Sequence, residues 1–193
     1  FTLDKITGEV DQMRIAGDTF EINVKDLSCI DTKTKLDAKE LDVFYRFTAQ
    51  SMQFHRLYGR IGNSVVRNYL EFGFNGTEDL SEFNSKVYLK AHLDSSIISS
   101  EDIAHFAPTL RGMNEMYSIS TDIEGKVVNL SFKDLSLYYG KNSYMKGSIS
   151  FRGLPNLDET FVNARFTKFS SNSIDMGRYV GSYTQGVMKR FGH

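Results

Sequence analysis

The chain of 193 residues carries 23 Lys+Arg against 24 Asp+Glu, a net charge of −1 that excludes the cationic surface of a sequence-independent nucleic-acid binder. Hydrophobic residues at 40% and charged residues at 24% exclude wholesale disorder, and a single Cys29 excludes an intramolecular disulfide framework. The aromatic content is high, with 15 Phe and 10 Tyr, while 2 Pro leave few strand breakers.

In chain order, Phe20, Ile22 and Val24 alternate with Glu21, Asn23 and Lys25, the period of a strand with one apolar and one wet face. Leu41, Val43, Tyr45 and Phe47 share one face of the next such run. Gly62-Asn63 then supplies residues tolerant of positive φ, as a hairpin requires. Leu70, Phe72 and Phe74 form a third stripe, and Glu78-Asp79 reads as loop. Val87, Leu89, Ala91 and Leu93 alternate with Tyr88, Lys90, His92 and Asp94. The period changes at Ser99-Ser-Glu-Asp-Ile-Ala-His-Phe-Ala107, where hydroxyls followed by carboxylates predict a short helix ending before Pro108. Gly140-Lys141-Asn142 marks another hairpin, followed by Met145, Gly147, Ile149 and Phe151 on one face. From Asp175 to Phe191, apolar residues at spacings of three and four predict an amphipathic helix weakened by Gly177, Gly181 and Gly186.

The chain also resembles itself. Met52-Gln-Phe-His-Arg-Leu57 matches Leu130-Ser-Phe-Lys-Asp-Leu135, and Gly62 then falls on Gly140. With one residue of slip, Phe74 to Glu82 matches Phe151 to Glu159, Val87 matches Val162, and Asp102 matches Asp175. The constant order predicts approximate repeats at 1–51 (partial), 52–129 and 130–193. A further match, Ile6–Ile15 with Ile123–Phe132, has a wider offset and predicts only a shared strand motif.

No catalytic signature emerges. The carboxylates scatter over turns and polar faces, and the four histidines fall in no metal-binding motif. Neither His92 nor His105 has a partner in view, and Cys29 reads as a small apolar residue. Nucleophile-elbow, zincin and Walker patterns are lacking, so neither an enzyme nor a bound cofactor or metal is expected. Tyr58, Tyr138, Tyr139 and Tyr144 offer a sugar-stacking platform, although Tyr is also a good strand former. No run of apolar residues is long enough for a transmembrane helix, and the chain opens on Phe1 as an internal segment of a longer protein would.

One stretch read whole resembles a known pattern: a strand into Leu93-Asp-Ser-Ser-Ile-Ile-Ser-Ser-Glu-Asp-Ile-Ala-His-Phe-Ala-Pro-Thr-Leu110, then Ile123-Glu-Gly-Lys-Val-Val-Asn-Leu130, Leu135-Ser-Leu-Tyr-Tyr-Gly140, and Gly147 to Gly153-Leu-Pro-Asn156. It is similar to the repeat region of AsmA/TamB-type envelope proteins of diderm bacteria, those called translocation and assembly module TamB, best over residues 86–170. The resemblance implies a periplasmic protein whose parent is anchored in the inner membrane. It also implies a mainly β fold: an elongated, curled antiparallel sheet, a trough called a β-taco, built of repeats with short helices inserted.

Such a trough is expected to carry phospholipid acyl chains between the inner and outer membranes. Its lining candidates here are Leu70, Phe72, Phe74, Val87, Leu89, Leu93, Ile149 and Phe151. A scaffold or chaperone-like module serving outer-membrane protein assembly is the alternative, and a carbohydrate-binding β domain the second.

Overall fold

In a computed structural model, which describes residues 3–32, 37–104, 112, 114–156 and 159–175, the alternating runs become ten strands. They are β1 (Leu3–Ala16), β2 (Thr19–Asp31), β3 (Asp37–Phe47), β4 (Ser51–Ile61), β5 (Ser64–Gly73), β6 (Tyr88–Ser99), β7 (Met116–Lys126), β8 (Asn129–Tyr139), β9 (Ser143–Arg152) and β10 (Phe161–Ser170). Every neighbour in sequence is a neighbour in the sheet, all pairs are antiparallel, and the sheet does not close. The expected curled antiparallel sheet is thus the fold, and no second sheet lies over it among the described residues.

Both expected hairpins are present, at Gly62-Asn63 and at Gly140-Lys141-Asn142. Helix α2 (Ser100–Ile103) begins where the hydroxyl-carboxylate run predicts, with the Ser99 side chain accepting from the Glu101 N–H. Residues 105–111 and 176–193 lie outside the described residues, so the rest of that helix and nearly all of the terminal one do too. Glu78-Asp79 is not a plain loop. The β5–β6 connection makes a 3-10 turn at Thr77–Glu82 and then α1 (Phe83–Lys86), and buried Asp79 accepts the Asn75 N–H at 3.0 Å. The match of Ile6–Ile15 with Ile123–Phe132 is not a shared strand motif, because the first lies within β1 and the second turns the corner from β7 to β8.

The curl has a local cause. β2, β4, β6 and β8 each carry one extra residue in left-handed conformation, namely Asp26, Arg56, Ser95 and Asp134, with φ of 50°, 51°, 48° and 48°. A register shift between Phe166 and Lys168 gives β10 the same irregularity. Such bulges bend a strand and increase its twist. The backbone groups they displace are claimed by neighbouring strands: Asp42 accepts the Asp26 N–H at 2.8 Å and Ser120 the Ser95 N–H at 2.9 Å. Recurring at matching heights on β2, β4, β6 and β8, these bulges form a crease running across the sheet, while β1 departs from the alternation with extra residues near Lys5 and at Asp11.

Burial shows which way it folds. In a flat single layer, mid-strand side chains stay open to water on both faces. Here Val24, Val43 and Leu93 are buried beside the crease, as are Leu57 and Leu135 immediately after their bulges, and Ala91 and Leu130 are buried farther along the same strands. All point to the same face, which is therefore concave. Arg56 needs a left-handed backbone that β-branched residues resist and glycine adopts freely. Arg56→Val is expected to destabilise the chain by about 1–2 kcal/mol while Arg56→Gly leaves it nearly unchanged, as urea unfolding of the two will show.

Two carboxylates clamp the hairpins on one rim. Asp102 of α2 accepts the Asn63 N–H at 2.9 Å and the Ser64 hydroxyl at 2.6 Å. Past β10, Asp175 accepts the Lys141 N–H at 3.2 Å and the Ser143 hydroxyl at 2.6 Å. Each sits three residues after a side chain capping its own turn, Ser99 in one case and Asn172 in the other. Gly62 and Gly140 share φ of +59°, and a Cβ at either would collide with its clamping carboxylate.

Candidate functional site

The concave face is the one continuous feature of this sheet, and strand pairing assembles it. Cross-strand partners point to the same side. One row runs Ile15, Phe20, Phe47, Met52, Phe72, Leu89, Gly125, Leu130, Phe151 and Val162, each paired with the next. The adjacent row runs Met13, Ile22, Tyr45, Phe54, Leu70, Ala91, Ile123, Phe132, Ile149 and Ala164. Neither row contains a charged residue. At about 4.8 Å per strand spacing, ten strands extend this surface over roughly 43 Å before curling.

Aromatic rings knit the rows together. Tyr45 and Phe54 stand 5.0 Å apart between centroids, Phe54 and Phe72 5.9 Å, and Phe132 and Phe151 5.8 Å, in tilted or edge-on contact. Across the crease the face continues with Leu27, Leu41 and Val66, which pack against the buried cluster of Val24, Val43 and Leu57. The face is half-buried without being covered, as expected of a concave surface.

Six of the sequence candidates, Leu70, Phe72, Leu89, Leu93, Ile149 and Phe151, lie on this face. Phe72 and Phe151 share the first row, and Leu70 and Ile149 the second. Leu93, 9% exposed, sits at the crease opposite Thr121. Phe74 and Val87 instead belong to the two ends of the β5–β6 connection, where Val87 is fully buried and Phe74 stacks on Phe47 at 6.3 Å. They anchor a cap at one end of the strands. Phe83 on α1 lies edge-on to Phe72 at 5.3 Å, so the cap overhangs the apolar row. The sequence signal for Phe83 was faint, because a one-turn helix is too short to show a helical period.

The opposite face is wet and ordered by charge. Glu21 meets Arg46 at 3.5 Å, Gln53 bonds Glu71 at 3.4 Å, and Lys90 pairs with Glu124 across β6 and β7. Hydrogen bonds, first from Lys133 and then from Tyr88, hold the Glu124 carboxyl below its usual range. His92 does have a partner here, with Nδ1 at 2.5 Å from Asp122 Oδ1. Burial, then its hydrogen bond to Glu71, pushes the Tyr69 hydroxyl upward. These are exposed ladders that keep one side soluble, and among the described residues no three metal-ligating side chains converge.

The proposed tyrosine platform is divided by the sheet. Tyr138 and Tyr144 stack at 5.9 Å on the wet face, whereas Tyr139 points the other way and is buried. Tyr58 lies under the Arg67 guanidinium, 5.5 Å from its ring centre. A flat sugar-binding row of four is therefore absent.

Among the described residues no helix is long and apolar enough to cross a membrane. No protein-family model matches the chain, and neither a curated protein nor a solved structure is significantly similar to it.

Proposed function

We propose that the concave face solvates phospholipid acyl chains, and that the chain is a segment of a periplasmic lipid bridge of the TamB/AsmA type. One observation carries this reading. Two charge-free rows run unbroken across all ten strands, on the concave side of a single sheet. A closed core needs no such continuity, whereas a sliding hydrocarbon chain does.

The dimensions are suitable. A face of roughly 43 Å exceeds the depth of one bilayer leaflet, about half of a 30 Å hydrocarbon core, so a whole acyl chain can lie along it. Each CH₂ removed from water contributes about 0.8 kcal/mol, while the headgroup stays at the open side of the trough. No catalysis is required of such a segment, and none of its side chains needs an unusual protonation state.

Photo-crosslinkable phospholipid is expected to label the wild-type face. The double substitution Phe72→Glu with Phe151→Glu should cut labelling by about tenfold or more, because each charge strands itself in the acyl path. Circular dichroism should show the sheet retained. Lipid labelling that ignores both charges, or a wild-type chain that never captures lipid, would sink the proposal. Native mass spectrometry after gentle extraction separates it from the chaperone-like reading, which expects a bound polypeptide instead of phospholipid.

A further inference from the structure

Charge is not evenly placed on the wet face. From β1 to β8, ionised side chains set directly opposite each other on neighbouring strands carry opposite signs, as in Glu40 with Arg60, Glu71 with Lys90, Lys90 with Glu124 and Asp122 with Lys133. One described pair breaks this rule, Lys146 of β9 against Lys168 of β10. Like charges directly opposite weaken a sheet, so this pair carries a cost that an anionic partner would remove.

Around it the surface is basic. β9 and β10 hold Lys146, Arg152, Arg165 and Lys168 and no acid, and none of the four forms an ion pair among the described residues. Lys146 and Arg152 have strands on both sides, facing Ser136 and Asn129 of β8, so neither depends on what adjoins β10. Asp134, the single acid of β8, stands at its bulge, and Lys133 is held by Glu124. Lys146 and Arg152 lie about 20 Å apart along β9. Between them Ser131, Ser148, Ser150 and Asn163 line, with Lys133 and Arg165, a shallow groove of about 270 Å³. Their hydroxyl and amide groups are donors suited to phosphate oxygens.

Beside this stretch the same face turns apolar. Tyr144, two residues from Lys146, stacks on Tyr138, and Tyr138, Ile97 and Met116 are large side chains left exposed. Pairing of Ile97 with Ser118, and of Ser118 with Tyr138, puts them on one side. Bases for phosphate next to exposed tyrosine and aliphatic groups match the headgroup layer of an anionic bilayer. A soluble polyanion would engage the bases but leave Ile97 and Met116 in water.

We propose that the wet face of β8–β10 docks on a membrane surface rich in anionic phospholipid, with the trough facing away from it. Sedimentation of the full chain with vesicles tests this, comparing phosphatidylcholine alone with an equimolar mixture of phosphatidylcholine and phosphatidylglycerol. Binding should favour the anionic vesicles by about tenfold or more and fall as salt is added. Lys146→Gln and Arg152→Gln should each weaken it by about fivefold. Lys146→Glu should weaken it further, yet leave the melting temperature unchanged or higher, because an ion pair with Lys168 replaces a repulsion. Its lost binding is then not lost folding. Lys90→Gln, on the charge-balanced part of the face, should change binding by less than about twofold. Equal binding to both vesicles, which the apolar trough alone would give, overturns the proposal. So does anionic binding that Lys146→Glu leaves intact, or retention on heparin without any vesicle binding.

Discussion

Truncating Leu57 to alanine is expected to lower the unfolding free energy by about 2–4 kcal/mol, the range for removing a buried leucine from a packed site. Leu57 follows the β4 bulge and is 7% exposed, packed with Val24 and Val43 at the crease. Among the described residues no second layer lies above this point to collapse into a cavity, so the upper part of the range is expected. Urea unfolding with an unchanged denaturant slope reads the effect directly. The same truncation at Leu89, which is half-buried on the open face, should cost markedly less. Equal costs at the two positions would show that the face is covered as a core is.

Asp102→Ala is the second large effect, a loss of about 2–3 kcal/mol from two charge-assisted hydrogen bonds. The substitution frees the Asn63 N–H and loosens the Ser64 hydroxyl, which itself accepts the Ser99 N–H at 2.9 Å. Damage should therefore spread from one hairpin to the start of α2, and hydrogen exchange at Asn63, Ser99 and Glu101 should accelerate together. Asp175 plays the corresponding role for the β8–β9 hairpin. Hydrogen bonds, foremost from Ser143, hold its carboxyl below the ordinary value of 3.8. A lowered folded value means that its contribution is complete above the unfolded value and disappears as pH falls through the folded one. The stability difference between wild type and Asp175→Asn should accordingly shrink in strong acid. A constant difference would remove the carboxylate from the explanation.

The alternation of apolar and polar residues is readable because a strand repeats every two positions, and Phe20–Val24, Leu41–Phe47 and Leu89–Leu93 fall on the inner face, whereas Val87 lies before β6 in the connection. The readings stopped at Val24 and Leu93 for a physical reason. Asp26 and Ser95 each insert one residue, and parity breaks there, so Leu27 and Ser96 rejoin the inner face out of step. Half of several strands was hidden by the feature that bends them. The echo of Lys25-Asp26-Leu27 in Lys133-Asp134-Leu135 is the trace it leaves in sequence, together with Arg56-Leu57. Likewise the match of Gly62 with Gly140 and of Asp102 with Asp175 was visible as spacing. That each carboxylate reaches back more than thirty residues to its hairpin could be learned only from the folded chain. His92 and Asp122 illustrate the same limit, since a cross-strand pair depends on register and not on proximity in sequence.

Placing the crease-forming bulge on β2, β4, β6 and β8 has an architectural consequence. The smallest piece that carries both a bent strand and an unbent one is a single hairpin. A protein built this way can lengthen or shorten its channel only in increments of two strands, about 10 Å at a time, if the oily side is to stay inward. Insertion of one strand would reverse the direction of every later strand and interrupt the crease that β2, β4, β6 and β8 carry. Channel length in such a chain is therefore a counted quantity, adjustable by duplicating or deleting hairpins without redesigning the wall.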